Sequence, residues 1–164
     1  MKTKVLFAVV AVGMIFSACT NQSKQGVQTH SADTTITKAI NNMNSFVSIF
    51  EIPATEISRA VDFYQDILDI KIEKMDMGEM QIGIFPYEGQ MVTGVILQAE
   101  GYKPSADGVT IYLNGGDNLQ VILDKVEKAG GKILFPKTLH ADGSGYFALF
   151  LDSEGNKMGL HSLN

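Results

Sequence analysis

A chain of 164 residues, 45 % hydrophobic and 19 % charged, has a globular balance and enough apolar material for one core, which excludes a fibrous or wholly disordered protein. Thirteen Lys and Arg stand against 18 Asp and Glu, a formal charge of −5, and Trp is absent. With that balance and no basic cluster after Lys4, the surface repels phosphate backbones, so nucleic acid is not an expected partner.

Lys2 and Lys4 precede an apolar run from Val5 to Phe16 that is too short to span a bilayer and ends in small residues, which predicts a signal peptide over residues 1–19. The run closes as Phe16, Ser17, Ala18 and Cys19. This resembles the lipobox of bacterial lipoproteins, with Phe16 where Leu is commoner. The resemblance implies that Cys19, the only cysteine, is lipidated, becomes the first mature residue and holds the protein on a membrane of the cell envelope. Ordinary cleavage and release is the alternative. A single cysteine leaves no disulfide within the chain. Loss of Lys2 and Lys4 leaves 11 basic residues (13 less 2) against 18 acidic, a charge of −7. From 20 to 45 the chain is rich in Asn, Gln, Ser, Thr, Lys and Ala and reads as a flexible tether, with Ile36, Ile40 and Met43 as one short apolar edge. His30 lies in this tether and carries no weight as a site.

The folded domain is expected over 46–164, with the same order of elements twice. "FVSIFEI" reads as a strand. "TEISRAVDFYQDIL" reads as a helix with Thr55 as N-cap and Ile57, Ala60, Val61, Tyr64 and Leu68 on one stripe. Strands "IKIEKM", "MQIGIFP" and "MVTGVILQ" follow, set apart by Gly and acidic turns. "GYKPSADG" links to a second pass: strand "GVTIYLN", a helix from about Asn118 closed by Gly130 and Gly131, then "KILFP", "YFALFLD" and "KMGLH". Thr55 and Asp117 are 62 apart (117 less 55), as are Phe50 and Tyr112, so modules of about 46–100 and 108–164 form a duplication.

Three segments, "FEIPATEISRAVDFYQDIL", "YLNGGDNLQVILDKVEKAGGKIL" and "GYFALFLDSEGNKMGLHS", together resemble the vicinal oxygen chelate superfamily of glyoxalase I, bleomycin-resistance proteins and extradiol dioxygenases. The resemblance implies an α+β fold: two β-α-β-β-β modules form a curled sheet around a cleft, with the helices outside, and such chains commonly pair as homodimers. It also implies a divalent metal in many members, held by His, Gln or Glu from the first and last strand of each module, while others bind antibiotics or apolar ligands without one.

Carried onto this chain, the first-strand ligand position is Ile49 and the last-strand position is Gly159. The fifth-strand position is Thr110 or Ile111, and Gln98 is the candidate for the fourth. At least three of the four lack a good donor, so no standard metal cofactor is expected. Strand alternation sends Phe50, Ile52, Met158 and Leu160 toward the helices and leaves Glu51, Gly159 and His161 facing the cleft, with Thr110, Tyr112 and Asn114 beside them.

Glu51 and His161 are therefore the candidate acid/base pair for a glyoxalase-like lyase or isomerase, since a carboxylate can orient an imidazole for proton transfer. His140 and Tyr146 bracket the Gly-rich hairpin "HADGSGY" as ligand contacts. The leading expectation is a lipid-anchored protein that binds a small organic molecule in its cleft. Catalysis by Glu51 and His161 and a non-catalytic dimeric interaction module are the alternatives.

Overall fold

A computed structural model describes residues 45–164. The expected signal peptide, Cys19, His30 and the tether as far as residue 44 lie outside the described residues. The first module runs β1 (Ile49–Pro53), α1 (Ile57–Leu68), β2 (Glu73–Asp76), β3 (Gln81–Ile84) and β4 (Thr93–Gln98). The second runs β5 (Tyr112–Asn114), α2 (Gln120–Val126), β6 (Lys132–Leu139), β7 (Tyr146–Leu151) and β8 (Lys157–Ser162). Their sheets have the orders β1-β4-β3-β2 and β5-β8-β7-β6. In each, the first strand pairs parallel with the last and the remaining pairs are antiparallel. The architecture is the expected pair of β-α-β-β-β modules with helices outside. Among the described residues no helix is long and apolar enough to cross a membrane.

α1 follows its apolar spacing: Ile57, Ala60, Val61, Phe63, Tyr64 and Ile67 are all buried. Its cap differs from expectation. Glu56, not Thr55, is the N-cap, and its carboxylate accepts hydrogen bonds from the Ser58 and Arg59 N–H groups. Thr55 is drawn instead to Glu154 of the second module, through its hydroxyl at 2.7 Å and its N–H at 2.9 Å. α2 starts at Gln120, two residues later than expected, after the Leu119 N–H donates to Ser162 Oγ at 3.2 Å. β5 is also shorter than the run that predicts it, although the Gly159 N–H still donates to the Ile111 carbonyl just ahead of it.

The modules share one core. Ile52, Ile96, Val61 and Tyr64 join Leu113, Leu123, Phe150 and Leu160, with the Phe63 and Phe150 ring centroids 6.1 Å apart. A polar knot closes its end. Asp152 Oδ2 accepts from the Tyr64 hydroxyl at 2.7 Å and from Asn156 Nδ2 at 2.9 Å, and Asp152 Oδ1 accepts from the N–H groups of Glu154 and Asn156. Asn156 Nδ2 also donates to the Pro53 carbonyl, while Asn156 Oδ1 accepts from the Ser105 N–H. The turn holding these residues places Gly155 at φ 94, a left-handed backbone that glycine adopts without strain.

The repeat offset is 63, not 62. The N-caps Glu56 and Leu119 are 63 apart (119 less 56), and the same step carries Phe50 to Leu113, both on the helix side. Phe50 and Tyr112, paired by the shorter offset, point to opposite faces: Phe50 packs on the core, whereas Tyr112 is exposed.

Candidate functional site

Residues directly opposite each other in a ladder share a face, so register and burial together define the two faces of each sheet. On the first sheet, Phe50, Ile52 and Ile96 go to the helices, while Ile49, Glu51, Thr93 and Val95 lie on the open face. On the second, Leu113, Ala148, Phe150, Met158 and Leu160 go to the helices. Tyr112, Asn114, Phe147, Leu149, Gly159 and His161 lie on the open face.

The resemblance implies ligands on the first and last strand of each module, and the offset of 63 brings those positions into register between the modules. Ile49 opposes Thr93 in the first module. Its counterpart Tyr112 opposes Gly159 in the second. The four equivalent positions are thus Ile49, Thr93, Tyr112 and Gly159, in place of the expected Thr110 or Ile111 and Gln98. They supply two neutral hydroxyls at most, no imidazole and no carboxylate. The Tyr112 ring also lies against Gly159, so closely that a Cβ there would fall on its Cδ1, Cε1 and Cγ atoms. The last-strand position therefore has no room for a donor side chain as packed, and these residues do not fit the divalent centre. Among the described residues, no group of three or more His, Cys, Asp and Glu is arranged to hold a metal ion. Thr93 Oγ1 is buried without a hydrogen-bond partner.

The structure brings some of the expected site residues together and separates others. His140 and His161 meet, with ring centroids 5.5 Å apart, and His140 lies 4.7 Å from Phe147. Phe147 is stacked on Phe135, with centroids 5.5 Å apart and an interplanar angle of 9°. Asn114 stands opposite His161 in the ladder. His161 Nε2 lies beneath the hairpin backbone, 3.1 Å from where a Cβ at Gly145 would be, and Gly145 has φ +127. A side chain at Gly145 would crowd the imidazole and strain the turn. The hairpin's carboxylate, Asp142, is pulled below its ordinary range by hydrogen bonds from Ser144.

The expected pairing of Glu51 with His161 does not form. Glu51 is exposed on β1 and lines a recess of ≈ 310 Å³ with Lys103, Ser105, Asn156 and Lys157, whereas His161 lies farther along β8, under the hairpin. Gln98 is turned away from the open face, and its Oε1 accepts from the Ile57 N–H at 2.8 Å at the start of α1. Thr110 precedes β5 and lies outside any strand. Tyr146 is on the helix side, packed on the core with Lys137 Nζ 4.5 Å from its ring centroid.

Sequence reasoning missed Phe135, Phe147 and Lys157. The alternation of "YFALFL" carries the signal for Phe147, once Phe150 is assigned to the core. On the helix side, a separate groove of ≈ 570 Å³ is walled by Phe50, Phe85, Leu113 and Ile122 and has Asp117 and Asn118 in its lining.

The model of the Glyoxalase/Bleomycin resistance protein/Dioxygenase superfamily matches residues 45–160. A glyoxylase-like domain-containing protein of Didymella fabae is 32% identical over 120 residues, which cover 67% of this chain and 88% of that protein. A glyoxalase I mutant from Zea mays shares the fold with a TM-score of 0.59 at 20% identity, over 71% of this chain and 46% of the maize chain. The match therefore spans a little under half of the maize enzyme. An antibiotic binding protein from a Streptomyces species shares the fold with a TM-score of 0.57 at 18% identity, over 72% of this chain and 95% of that one.

Proposed function

The chain belongs to the Glyoxalase/Bleomycin resistance protein/Dioxygenase superfamily, and from that premise we propose that it binds a small organic molecule on the open face of its second module, without the divalent metal, while held to a membrane of the cell envelope through Cys19. The observation that carries this reading is the Tyr112 ring packed on Gly159. It covers the position where the resemblance implies a last-strand ligand, and the ring itself is a half-exposed aromatic surface. The Streptomyces neighbour, described as an antibiotic binding protein, supports ligand binding as a use of this fold.

The test is metal analysis of the purified chain after dialysis, followed by titration with Zn²⁺, Ni²⁺ and Mn²⁺. Substoichiometric metal and no stoichiometric heat of binding are expected; one tightly held ion per chain would overturn the reading. For the anchor, Cys19→Ala should shift the protein from the membrane to the soluble fraction, and retention on the membrane would remove that part. Glu51 lies in the recess beside Lys157 while His161 lies under the hairpin, which speaks against the two as an acid/base pair. Exposed apolar residues on the first sheet's open face, Ile49 and Met75, favour a homodimer as a second reading. Sedimentation at micromolar concentration would reveal it.

A further inference from the structure

The two open faces divide the charges of an acidic chain unequally. Following the ladders, the first sheet's open face carries Ile49, Glu51, Glu73, Met75, Ile82, Ile84, Thr93, Val95 and Leu97, with two acids and no cation. The second sheet presents three rows. Lys132 and Lys157 flank Leu151 in one, and Phe135, Leu149, Gly159 and Tyr112 form the next. Thr138, Phe147, His161 and Asn114 form the third. No Asp or Glu stands in any of these rows, although the whole chain has 18 of them. Lys132 and Lys157 join no ion pair among the described residues.

Each row points to part of a ligand. Tyr112, Phe147 and Phe135 are flat, partly exposed rings, two of them already stacked, and such rings hold planar π systems by offset or edge contacts. At one end of this platform the imidazoles of His140 and His161 stand side by side and half-buried. Each imidazole carries at least one N–H donor whatever its tautomer. Asn114 Oδ1 already accepts from the Gly116 N–H, which orients its amide and leaves the Nδ2 donors for a third contact. Three donor groups beside rings, on strand rows with lysines and no carboxylate, are complementary to an anion with two acceptor oxygens, with the hairpin's Asp142 near His140 as the one acid beside them.

We infer that the ligand of this face is a planar aromatic carboxylic acid, its ring on Tyr112 and Phe147 and its carboxylate between His140 and His161. The inference rests on the proposed reading of this face as a binding site. The phenol ring on Gly159 sets how deep the ring can sit. His140, held at the base of the hairpin by its backbone N–H donating to the Gly145 carbonyl at 2.8 Å, brings the second imidazole to the first.

The experiment compares 2-naphthoate with its neutral amide, 2-naphthamide, for binding to the full chain by ligand fluorescence, using wild type, His140→Gln, His161→Gln and Tyr112→Ala. Wild type should bind the acid about tenfold more tightly than the amide. Each histidine variant should lose most of that preference, with an unchanged circular dichroism spectrum and unfolding midpoint showing that the variant is folded. Tyr112→Ala should weaken both compounds. Equal affinity for acid and amide, or a preference that survives both histidine substitutions, would overturn the assignment of ligand class. If the amide still binds and still depends on Tyr112, the open face remains a binding site. Failure of both compounds to bind would overturn the class assignment and the reading of the face together.

Discussion

The Tyr112 ring lies against Gly159, across the parallel pairing of β5 and β8, where any Cβ would strike it. Gly159→Ala should therefore cost about 1–3 kcal/mol, because the ring must swing off the strand and part of its packing goes with it. In a Tyr112→Ala background the same substitution should cost much less. A double-mutant cycle from urea unfolding reads the coupling directly, and equal costs in the two backgrounds would show that the ring is not the obstacle.

Glu154 holds the start of α1 from the opposite module. Its side chain is fully buried, and both oxygens are engaged: Oε1 with Arg59 Nε at 2.7 Å, and Oε2 with Arg59 Nη2 and with the Thr55 and Glu56 groups. Burial works against the charge, but Arg59, Thr55 and Glu56 outweigh it and bring the carboxyl from 4.5 down to about 2. A carboxylate depressed in the folded state stabilises fully above its unfolded value. That stability is lost as pH falls from about 4.5 to about 2. Linkage sets an upper limit of about 3 kcal/mol, and solvent around the half-exposed Arg59 reduces it to about 1–2 kcal/mol. Glu154→Gln should remove this part of the acid dependence, measured as unfolding free energy at pH 6, 4 and 3.

The Tyr64 hydroxyl is buried and donates to Asp152 Oδ2. Tyr64→Phe leaves that carboxylate oxygen short of one donor and should cost about 1.5–3 kcal/mol. Burial first, and then the neighbouring Asp152, push the phenol well above 10, so its protonated form is the one the fold selects. The corresponding stability is present below pH 10 and declines as pH rises beyond it. In an alkaline ultraviolet titration one of the five tyrosines should ionise only with unfolding.

Thr93 Oγ1 is buried beside Ile49 with nothing to bond. Thr93→Val keeps the shape and removes the unsatisfied hydroxyl, so it should raise stability by about 1 kcal/mol, visible as a higher Tm. A lower Tm would mean that the hydroxyl has a partner such as a bound water.

Facing within a strand was legible because it depends only on period. Alternation separated Ile52 from Glu51 and Leu160 from His161, and burial follows the same division. The stripe of α1 was legible for the same reason. What distance in sequence hides is lateral. Glu51 and His161 share a facing but sit on different sheets and at different heights, so no period could bring them together. Gln98 looked like a donor for a ligand because its bond to the Ile57 N–H, 41 residues away in sequence, is a tertiary contact. Thr55 lost its place as cap to Glu56 because Glu154, 99 residues away, claims its hydroxyl. The offset of 62 misaligned the modules by one residue, and so equated Phe50 with Tyr112 although strand alternation already sent them to opposite faces.

The turn of Asp152 and Asn156 belongs to the second module, yet most of what it fastens is in the first: Tyr64, the end of β1 at Pro53 and the start of α1 through Glu154. Duplication has therefore not left two independent halves. If the second module opened, it would strip the first of a buried carboxylate, a strand-end donor and a helix clamp at once, so neither half has a folded state of its own to retreat to. The domain should melt in a single cooperative step, and a break in the linker between the modules would not yield two stable pieces.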